Sequence, residues 1–323
     1  MFGVQFHGMW SSYTDEQRIA VLDLLRAAGI RTVRLDVSWA MLQPTGPTAY
    51  DPWGVGFVDR VIQLCEERGI TPLITLWLTP GWANGNLGER ALPTDPADYA
   101  RAAHWAADRY AGRVLGWEVW NEPNSADFLV GASPDGYTQL LRAAYPALRA
   151  GDPAAPVVFG GVQYNDDDWL ARAYAAGAKD SFDVMATHPY PAIADQSPDV
   201  PDDGTIWVLN HAAAVHRLMA EHGDADKPIW FTEVGWSTHH HNPPGTPNYA
   251  LGVSEATQAR YLTRTVDLIT TTMPYVTAVY WYAERDTPSH TYGLLRQDLS
   301  PKPSLSAASS ALHTRDLGVG RVV

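Results

Sequence analysis

Two glutamates stand apart from the other acidic residues of this 323-residue chain because of their surroundings. Glu122 sits in Trp117-Glu118-Val119-Trp120-Asn121-Glu122-Pro123-Asn124. Glu233 sits in Pro228-Ile229-Trp230-Phe231-Thr232-Glu233-Val234-Gly235-Trp236. Each carboxyl ends an apolar run. Apolar walls oppose ionisation and raise a carboxyl pKa, which a proton donor needs. Two carboxyls facing across a cleft are the minimum equipment for cleaving a glycosidic bond. One protonates the leaving oxygen; the other attacks the anomeric carbon or activates water. The plain alternative is that each glutamate only pairs with a nearby arginine.

The chemistry requires elements that bring the two together. Short runs rich in Val, Ile, Trp and Tyr predict eight strands, over 3–6, 32–37, 71–77, 114–120, 157–162, 182–187, 228–233 and 277–283. Helix-period segments alternate with them near 14–28, 54–68, 96–111, 134–149, 167–177, 206–222, 254–273 and 302–313. Strict alternation favours a parallel sheet, and eight such units close into a single-domain α/β barrel, the (β/α)8 TIM barrel, over 1–323. Gly29 and Gly69 fall where helix ends need a left-handed residue, and Ser254 is placed to cap a helix. In such a barrel, function gathers at the C-terminal strand ends. Glu122 ends the fourth strand and Glu233 the seventh, on opposite sides of the mouth. The Pro-, Asp-, Asn- and Gly-rich stretches 189–205 and 237–253 follow strands and fall on the same face.

Trp120-Asn121-Glu122-Pro123-Asn124 resembles the acid/base motif of glycoside hydrolase clan A, the large (β/α)8 group that includes families 5 and 39. The placement of Glu122 on strand four and Glu233 on strand seven matches that clan too. The resemblance implies a retaining mechanism, with Glu122 as general acid/base, Glu233 as nucleophile and carboxyls about 5–5.5 Å apart. Arg34 resembles the clan's arginine that bonds the nucleophile, with Asp36 as its alternative partner. His188 and Tyr190 look like the His and Tyr beside the nucleophile. Asn121 resembles the residue that bonds the sugar 2-hydroxyl, and Trp281 the sugar-stacking tryptophan. The family 5 histidine after strand three is absent. The segment Trp77-Leu78-Thr79-Pro80-Gly81-Trp82 looks more like single-barrel members near family 39, without room for the β-sandwich of family 39 xylosidases.

The composition suits this reading. Thirteen Trp and fifteen Tyr supply flat apolar faces with polar handles, and Trp10, Trp39, Trp77, Trp82 and Trp236 are candidates to stack on sugars. Glu284 is a candidate for binding sugar hydroxyls; for it, as for Asp286, pairing with Arg285 is the alternative. A net charge of −13 argues against nucleic acid or anionic membranes as partners. The expected partner is an oligo- or polysaccharide, no cofactor or metal is expected, and a monomer is the default. Endo action on a polysaccharide is favoured over exo action as a β-glycosidase. A silent carbohydrate-binding barrel and a metal-dependent barrel hydrolase are the competing classes. His239, His240 and His241 follow the nucleophile strand; adjacent histidines diverge, so a loop edging the cleft is expected rather than a metal site. Asp166, Asp167 and Asp168 read as a helix N-cap. The lone Cys65 reads as buried. No run approaches membrane-spanning length, and the opening residues read as a strand. The protein is therefore cytoplasmic, or secreted if an N-terminal signal has been removed.

Overall fold

The computed structural model describes residues 1–239 and 242–314; His240 and His241 lie outside them. Eight parallel strands close into a barrel in chain order: β1 (Phe2–Gln5), β2 (Thr32–Ser38), β3 (Thr71–Trp77), β4 (Gly116–Asn121), β5 (Val157–Gln163), β6 (Met185–His188), β7 (Ile229–Val234) and β8 (Val276–Trp281). Strands β1 and β8 pair through Phe2 with Val279 and Val4 with Trp281, which shuts the ring. The helices are α1 (Asp15–Ala27), α2 (Trp39–Leu42), α3 (Pro52–Glu66), α4 (Gly81–Asn84), α5 (Pro96–Arg109), α6 (Pro134–Gly151), α7 (Asp167–Ala175), α8 (Ala212–Glu221), α9 (Glu255–Thr272) and α10 (Pro303–Thr314). Eight of them form the outer ring; the one-turn α2 and α4 sit in the loops after β2 and β3.

Local chemistry explains the helix starts. Thr14 accepts from the Gln17 amide while the Gln17 side chain accepts from the Thr14 amide, a reciprocal cap. Asp51, Asp95, Ser133, Asp166 and Ser254 each cap a helix through a side-chain oxygen. Asp166 thus does what its sequence context suggested, and also accepts from Asn124. No described helix is long and apolar enough to cross a membrane.

Strand alternation sorts two cores. Outward residues such as Ile74, Phe159, Phe231 and Val279 pack in the main cluster with the helices. Inward residues Leu73, Val158, Val184, Ala186, Trp230, Ala278 and Tyr280 form a separate plug inside the barrel. Above the plug the inward positions turn polar: Gln5, Arg34, Thr75, Glu118 and Thr232, all buried. This polar layer is the floor of the site. Cys65 lies in the outer core, where burial pushes its thiol up to about 12, consistent with an inert residue.

Helices α5 and α6 approach closely at Gly151. A β-carbon there would lie 2.7 Å from Ala107 Cβ and from the His104 carbonyl oxygen. Gly151→Val should therefore destabilise the fold by about 1–3 kcal/mol through overpacking. Urea unfolding of the two proteins measures this, and an unchanged midpoint would contradict the close approach.

Candidate active site

The site is organised around Arg34, a fully buried arginine on β2. Its Nε donates to Glu118 Oε2 at 2.6 Å and its Nη2 to Asn121 Oδ1 at 2.8 Å. Its Nη1 donates to Gln5 Oε1 at 2.9 Å and to Glu233 Oε1 at 2.6 Å. Asp36 stands at 4.0 Å, so it is not the principal partner of Arg34. Glu118 also accepts from Thr75 at 2.5 Å. Buried cations persist only when paired and hydrogen-bonded, and here two carboxylates and two amide oxygens satisfy one guanidinium.

Regular alternation cannot aim Asn121 and Glu122 at the same cavity, because neighbours on a strand face opposite sides. The backbone breaks the alternation. Trp120 and Glu122 both hold positive φ, 75° and 43°, and both residues Asn121 and Glu122 line the cavity. Such backbone is costly for residues with a β-carbon and persists where the surroundings enforce it. The Glu122 amide donates to the Gly161 carbonyl, and the Trp120 indole donates to the Phe128 carbonyl. Asn124 exchanges hydrogen bonds with the Gln163 backbone, tying the motif to the end of β5. On β7 a register shift between Phe231 and Val234 does the equivalent work. Thr232 reaches His188 while Glu233 reaches Arg34.

His188 lies between Glu122 and Thr232: Nδ1 is 2.8 Å from Glu122 Oε1 and Nε2 is 3.0 Å from Thr232 Oγ1. Glu233 Oε2 stands at 3.8 Å, so His188 lies beside the nucleophile as its sequence context suggested, while its hydrogen bond goes to Glu122. Burial, with the Arg34 charge, pushes its pKa well below the ordinary histidine value, so the ring is neutral. A neutral imidazole donates from one nitrogen and accepts at the other. It can accept from a protonated Glu122 while donating to Thr232, or donate to an ionised Glu122 while accepting from Thr232. Gly161 makes room for the ring: a β-carbon there would sit 2.1 Å from Nε2.

The two carboxyls are electrostatically unequal. Burial, reinforced by the charge of Glu233, pushes Glu122 well above the usual carboxylate range. Burial raises Glu233 too, against the opposing Arg34 charge and the Tyr190 hydroxyl, which donates to Glu233 Oε2 at 3.0 Å. Arg34 limits this rise without reversing it. Glu122 thus holds a proton more firmly than Glu233, since its hydrogen-bond partner His188 is neutral while Glu233 bonds the Arg34 cation.

Both carboxyls open onto a cavity of about 390 Å³ lined by Gln5, His7, Met9, Trp10, Asp36, Ser38, Met41, Trp77, Leu78, Arg90, Asn121, Phe128 and Tyr282 besides. A second cavity of about 360 Å³ shares Glu122, Glu233, Phe128 and Tyr282 and continues past Tyr164, Tyr190, Tyr249, His290 and Tyr292. Loops 189–205 and 237–253 border this second cavity through Pro191, Ala194 and Tyr249. A third, of about 420 Å³, shares Trp77, Leu78 and Arg90 with the first. One ring nitrogen of His188 and one oxygen each from Glu122 and Glu233 lie within 4.8 Å of one another, a grouping that could hold a cation. The hydrogen bond between His188 and Glu122 and the ion pair between Arg34 and Glu233 already account for that closeness.

Among the aromatic candidates, Trp10 and Trp77 line the cavity, but four others do not. Trp281 is fully buried on the outward face of β8, where it packs on Trp236 at 5.7 Å. Inward alternation runs Ala278, Tyr280, Tyr282, and it is Tyr282 that reaches the cavity. Trp236 is buried and donates to the Gln196 carbonyl. Trp39 is buried against Trp82 and Tyr99, and its indole donates to Gln43. Trp82 donates to the Gln43 carbonyl, away from the cavity lining. Glu284 is likewise not a sugar contact: it is buried, accepting from the His7 amide and from the Tyr13 hydroxyl at 2.5 Å, with His7 Nδ1 at 2.9 Å. Asp286 pairs with Lys302, not Arg285. His239 packs beside Gly252, with its amide donating to Val253. Sequence reasoning missed Gln5, His7, Asp36, Thr232 and Tyr282 as site residues. The inward period of two on β1, β2, β7 and β8 was the signal available for them.

The pairing of His7 and Glu284 predicts a pH dependence of stability. Burial works against the His7 cation, but Glu284 outweighs it and raises the histidine pKa; burial works against the Glu284 anion, but His7 and Tyr13 outweigh it and lower the carboxyl pKa. The raised histidine stabilises the fold below its ordinary pKa and loses that contribution as pH rises through its raised value. The lowered carboxyl stabilises above its ordinary pKa and loses that contribution as pH falls through its depressed value. Glu284→Gln should therefore cost most at roughly pH 5–6, up to about 3–5 kcal/mol. The gap from the parent protein should narrow in stronger acid and above neutrality. Urea unfolding across pH checks this, and a pH-independent gap would refute it.

Comparison with known proteins accords with this geometry. Over part of its length the chain resembles beta-glucosidase A of Thermotoga maritima, 27% identical over 111 residues, 32% of this chain and 23% of that protein. It thus spans about a quarter of that curated relative. Among solved structures, a family 39 glycoside hydrolase from Bacteroides cellulosilyticus superposes with a TM-score of 0.76 at 28% identity, covering 96% of this chain and 62% of that one. The exo-beta-1,4-mannosidase of an Opitutaceae bacterium shares the fold, with a TM-score of 0.69 at 17% identity over 98% of this chain and 60% of that one. The family model described as cellulase (glycosyl hydrolase family 5) matches residues 1–281, and the chain belongs to that family.

Proposed function

We propose that this protein is a retaining glycoside hydrolase that cleaves β-glycosidic bonds within a polysaccharide. The carrying observation is the unequal carboxyl pair, Glu122 protonated and Glu233 against Arg34, with oxygens within 4.8 Å. One oxygen of each within 4.8 Å supports direct attack by a carboxylate, as in retaining enzymes, whose carboxyl groups stand about 5–5.5 Å apart. In this reading Glu122 donates its proton to the glycosidic oxygen as a Glu233 oxygen bonds to the anomeric carbon. The leaving sugar departs as an alcohol. Glu122, now ionised, then takes a proton from water as that water attacks the glycosyl-enzyme and releases Glu233. Arg34 and Tyr190 hold Glu233 through its two oxygens, which limits its rotation. Asn121, with its oxygen on Arg34, keeps its amide N–H groups for a sugar hydroxyl in the 390 Å³ cavity.

Endo action is supported by three cavities that adjoin one another through shared lining residues, two of them containing the carboxyl pair. Exo action as a β-glycosidase is the second reading, favoured by relatives whose names are beta-glucosidase and exo-beta-1,4-mannosidase. Glu122→Ala should lower turnover roughly 100- to 10,000-fold, with azide restoring part of it by attacking the glycosyl-enzyme directly in place of water, which needs no base and yields a glycosyl azide. Glu233→Ala should be at least as impaired, and a 2-deoxy-2-fluoro glycoside should label Glu233 in the parent protein, read by mass spectrometry. Full turnover by Glu233→Ala would sink the proposal. On β-linked glucan and mannan, early products of mixed length support endo action, whereas monosaccharide from the outset supports exo action. Binding of these glycans without any hydrolysis would instead identify a silent binding barrel.

A further inference from the structure

The proposed reaction leaves one carboxylate on the cavity wall unused. Asp36 follows Arg34 by two residues on β2, so both face inward, one layer apart. Its side chain is about one quarter exposed, at 23%, and lines the 390 Å³ cavity. One oxygen, Oδ2, accepts from Gln5 Nε2 at 2.8 Å. Gln5 uses its other end on the nucleophile's support: Oε1 accepts from Arg34 Nη1 at 2.9 Å, and the same Nη1 donates to Glu233 Oε1 at 2.6 Å. Both ends of the Gln5 amide are thus committed, so its orientation is set. Among the described residues, Oδ1 of Asp36 has only the distant Arg34, at 4.0 Å.

We infer that Asp36 binds a hydroxyl of the sugar held in the 390 Å³ cavity and, through Gln5 and Arg34, couples the filling of that cavity to the state of Glu233. This rests on the glycosidase reading. A carboxylate with one oxygen fixed and the other facing a cavity accepts one hydroxyl proton in a defined direction. That makes Asp36 a specificity-determining residue for the glycone, and Gln5 a positioning residue whose amide is engaged by Asp36 and Arg34. Charge adds a second effect. The Asp36 anion is among the groups that make the Glu233 anion less favourable. A hydroxyl donated to Asp36 disperses its charge and relieves that repulsion, so sugar binding favours the ionised nucleophile. The other groups facing Glu233 are Arg34 and Glu118 from the barrel floor, Glu122 beyond β4, His188 and Tyr190 at the end of β6, and Tyr282 after β8, with His7 acting from beyond β1.

The test uses the best aryl β-glycoside substrate and its monodeoxy analogues, each lacking one glycone hydroxyl, with the full chain and its Asp36→Asn and Gln5→Ala variants. Asp36→Asn keeps an oxygen for Gln5 and replaces the anion. It should lower kcat/KM about 10- to 100-fold on the parent substrate. One deoxy analogue should show a similar loss with the parent enzyme and little further loss with Asp36→Asn. The acid limb of the kcat/KM profile, which reports free enzyme, should move to lower pH in Asp36→Asn. In the parent enzyme the acid limb of kcat should lie below that of kcat/KM, and this difference should shrink in the variant. Gln5→Ala should reduce kcat more than it raises KM. Thermal unfolding midpoints, read in parallel, separate these effects from misfolding. Equal sensitivity of parent and variant to every deoxy analogue would overturn the hydroxyl contact. An unmoved acid limb would overturn the coupling. Absence of hydrolysis by the parent enzyme on every glycoside would instead overturn the glycosidase reading itself.

Discussion

A buried guanidinium sets the terms for the whole mouth of this barrel. Arg34 is surrounded by Glu118, Glu233, Gln5 and Asn121, and none of its described partners is replaceable by an apolar group without leaving charge exposed to a low dielectric. Removing any one partner strands the others. The side chains of four strands therefore hold their positions jointly, which gives the carboxyl pair a rigid base before any substrate arrives. The same cation makes the pair unequal. Glu233 has it at 2.6 Å, whereas Glu122 is bonded to a neutral imidazole and sits against apolar surface.

Rigidity at the base comes with irregularity at the rim. Regular strands deliver every second side chain to the barrel interior, and the hydrophobic plug obeys that rule. The working residues do not. Asn121 and Glu122 are neighbours, as are Thr232 and Glu233, and each pair reaches the site through a local break in strand geometry. These breaks are affordable because they lie above the plug, where hydrogen bonds to Gly161, Phe128 and Gln163 replace the lost ladder contacts. Glycine at 161 is part of the same solution, since it leaves the space that His188 occupies between Glu122 and Thr232.

Strand and helix positions were legible because eight apolar runs alternate with amphipathic segments, a pattern compatible with few topologies. The chemistry of Glu122 and Glu233 was legible for a related reason: carboxyls ending apolar strands are energetically expensive and therefore conspicuous. Arg34 and Tyr190 were found through the motif and meet Glu233 as expected, whereas Asn121, found the same way, bonds Arg34. Aromatic roles were not legible from residue type. Trp281 and Tyr282 are adjacent and both are large, but one step along a strand reverses the direction of a side chain. Trp281 faces the helices and Tyr282 faces the cavity. Trp39 and Trp236 are the same lesson in loops and short helices, where period alone predicts no direction. Glu284 looked like a sugar ligand because it follows β8, yet the fold brings His7 and Tyr13 from the start of the chain onto it.

By itself, then, the sequence determined the repeating β–α order, the strand number, the capped helix starts and the two strand ends that carry carboxyls. Those properties depend on residues close together in the chain, through periodicity, propensity and local hydrogen bonding. Closure of the barrel decided the rest. It chose which tryptophans became core, gave His188 a hydrogen bond to Glu122, turned Glu284 into a buried partner of His7, and put Asp36 on the cavity wall linked through Gln5 to Arg34. Each of these is a contact between residues distant in sequence, and its strength depends on burial and dielectric, quantities that exist only once the strands have closed.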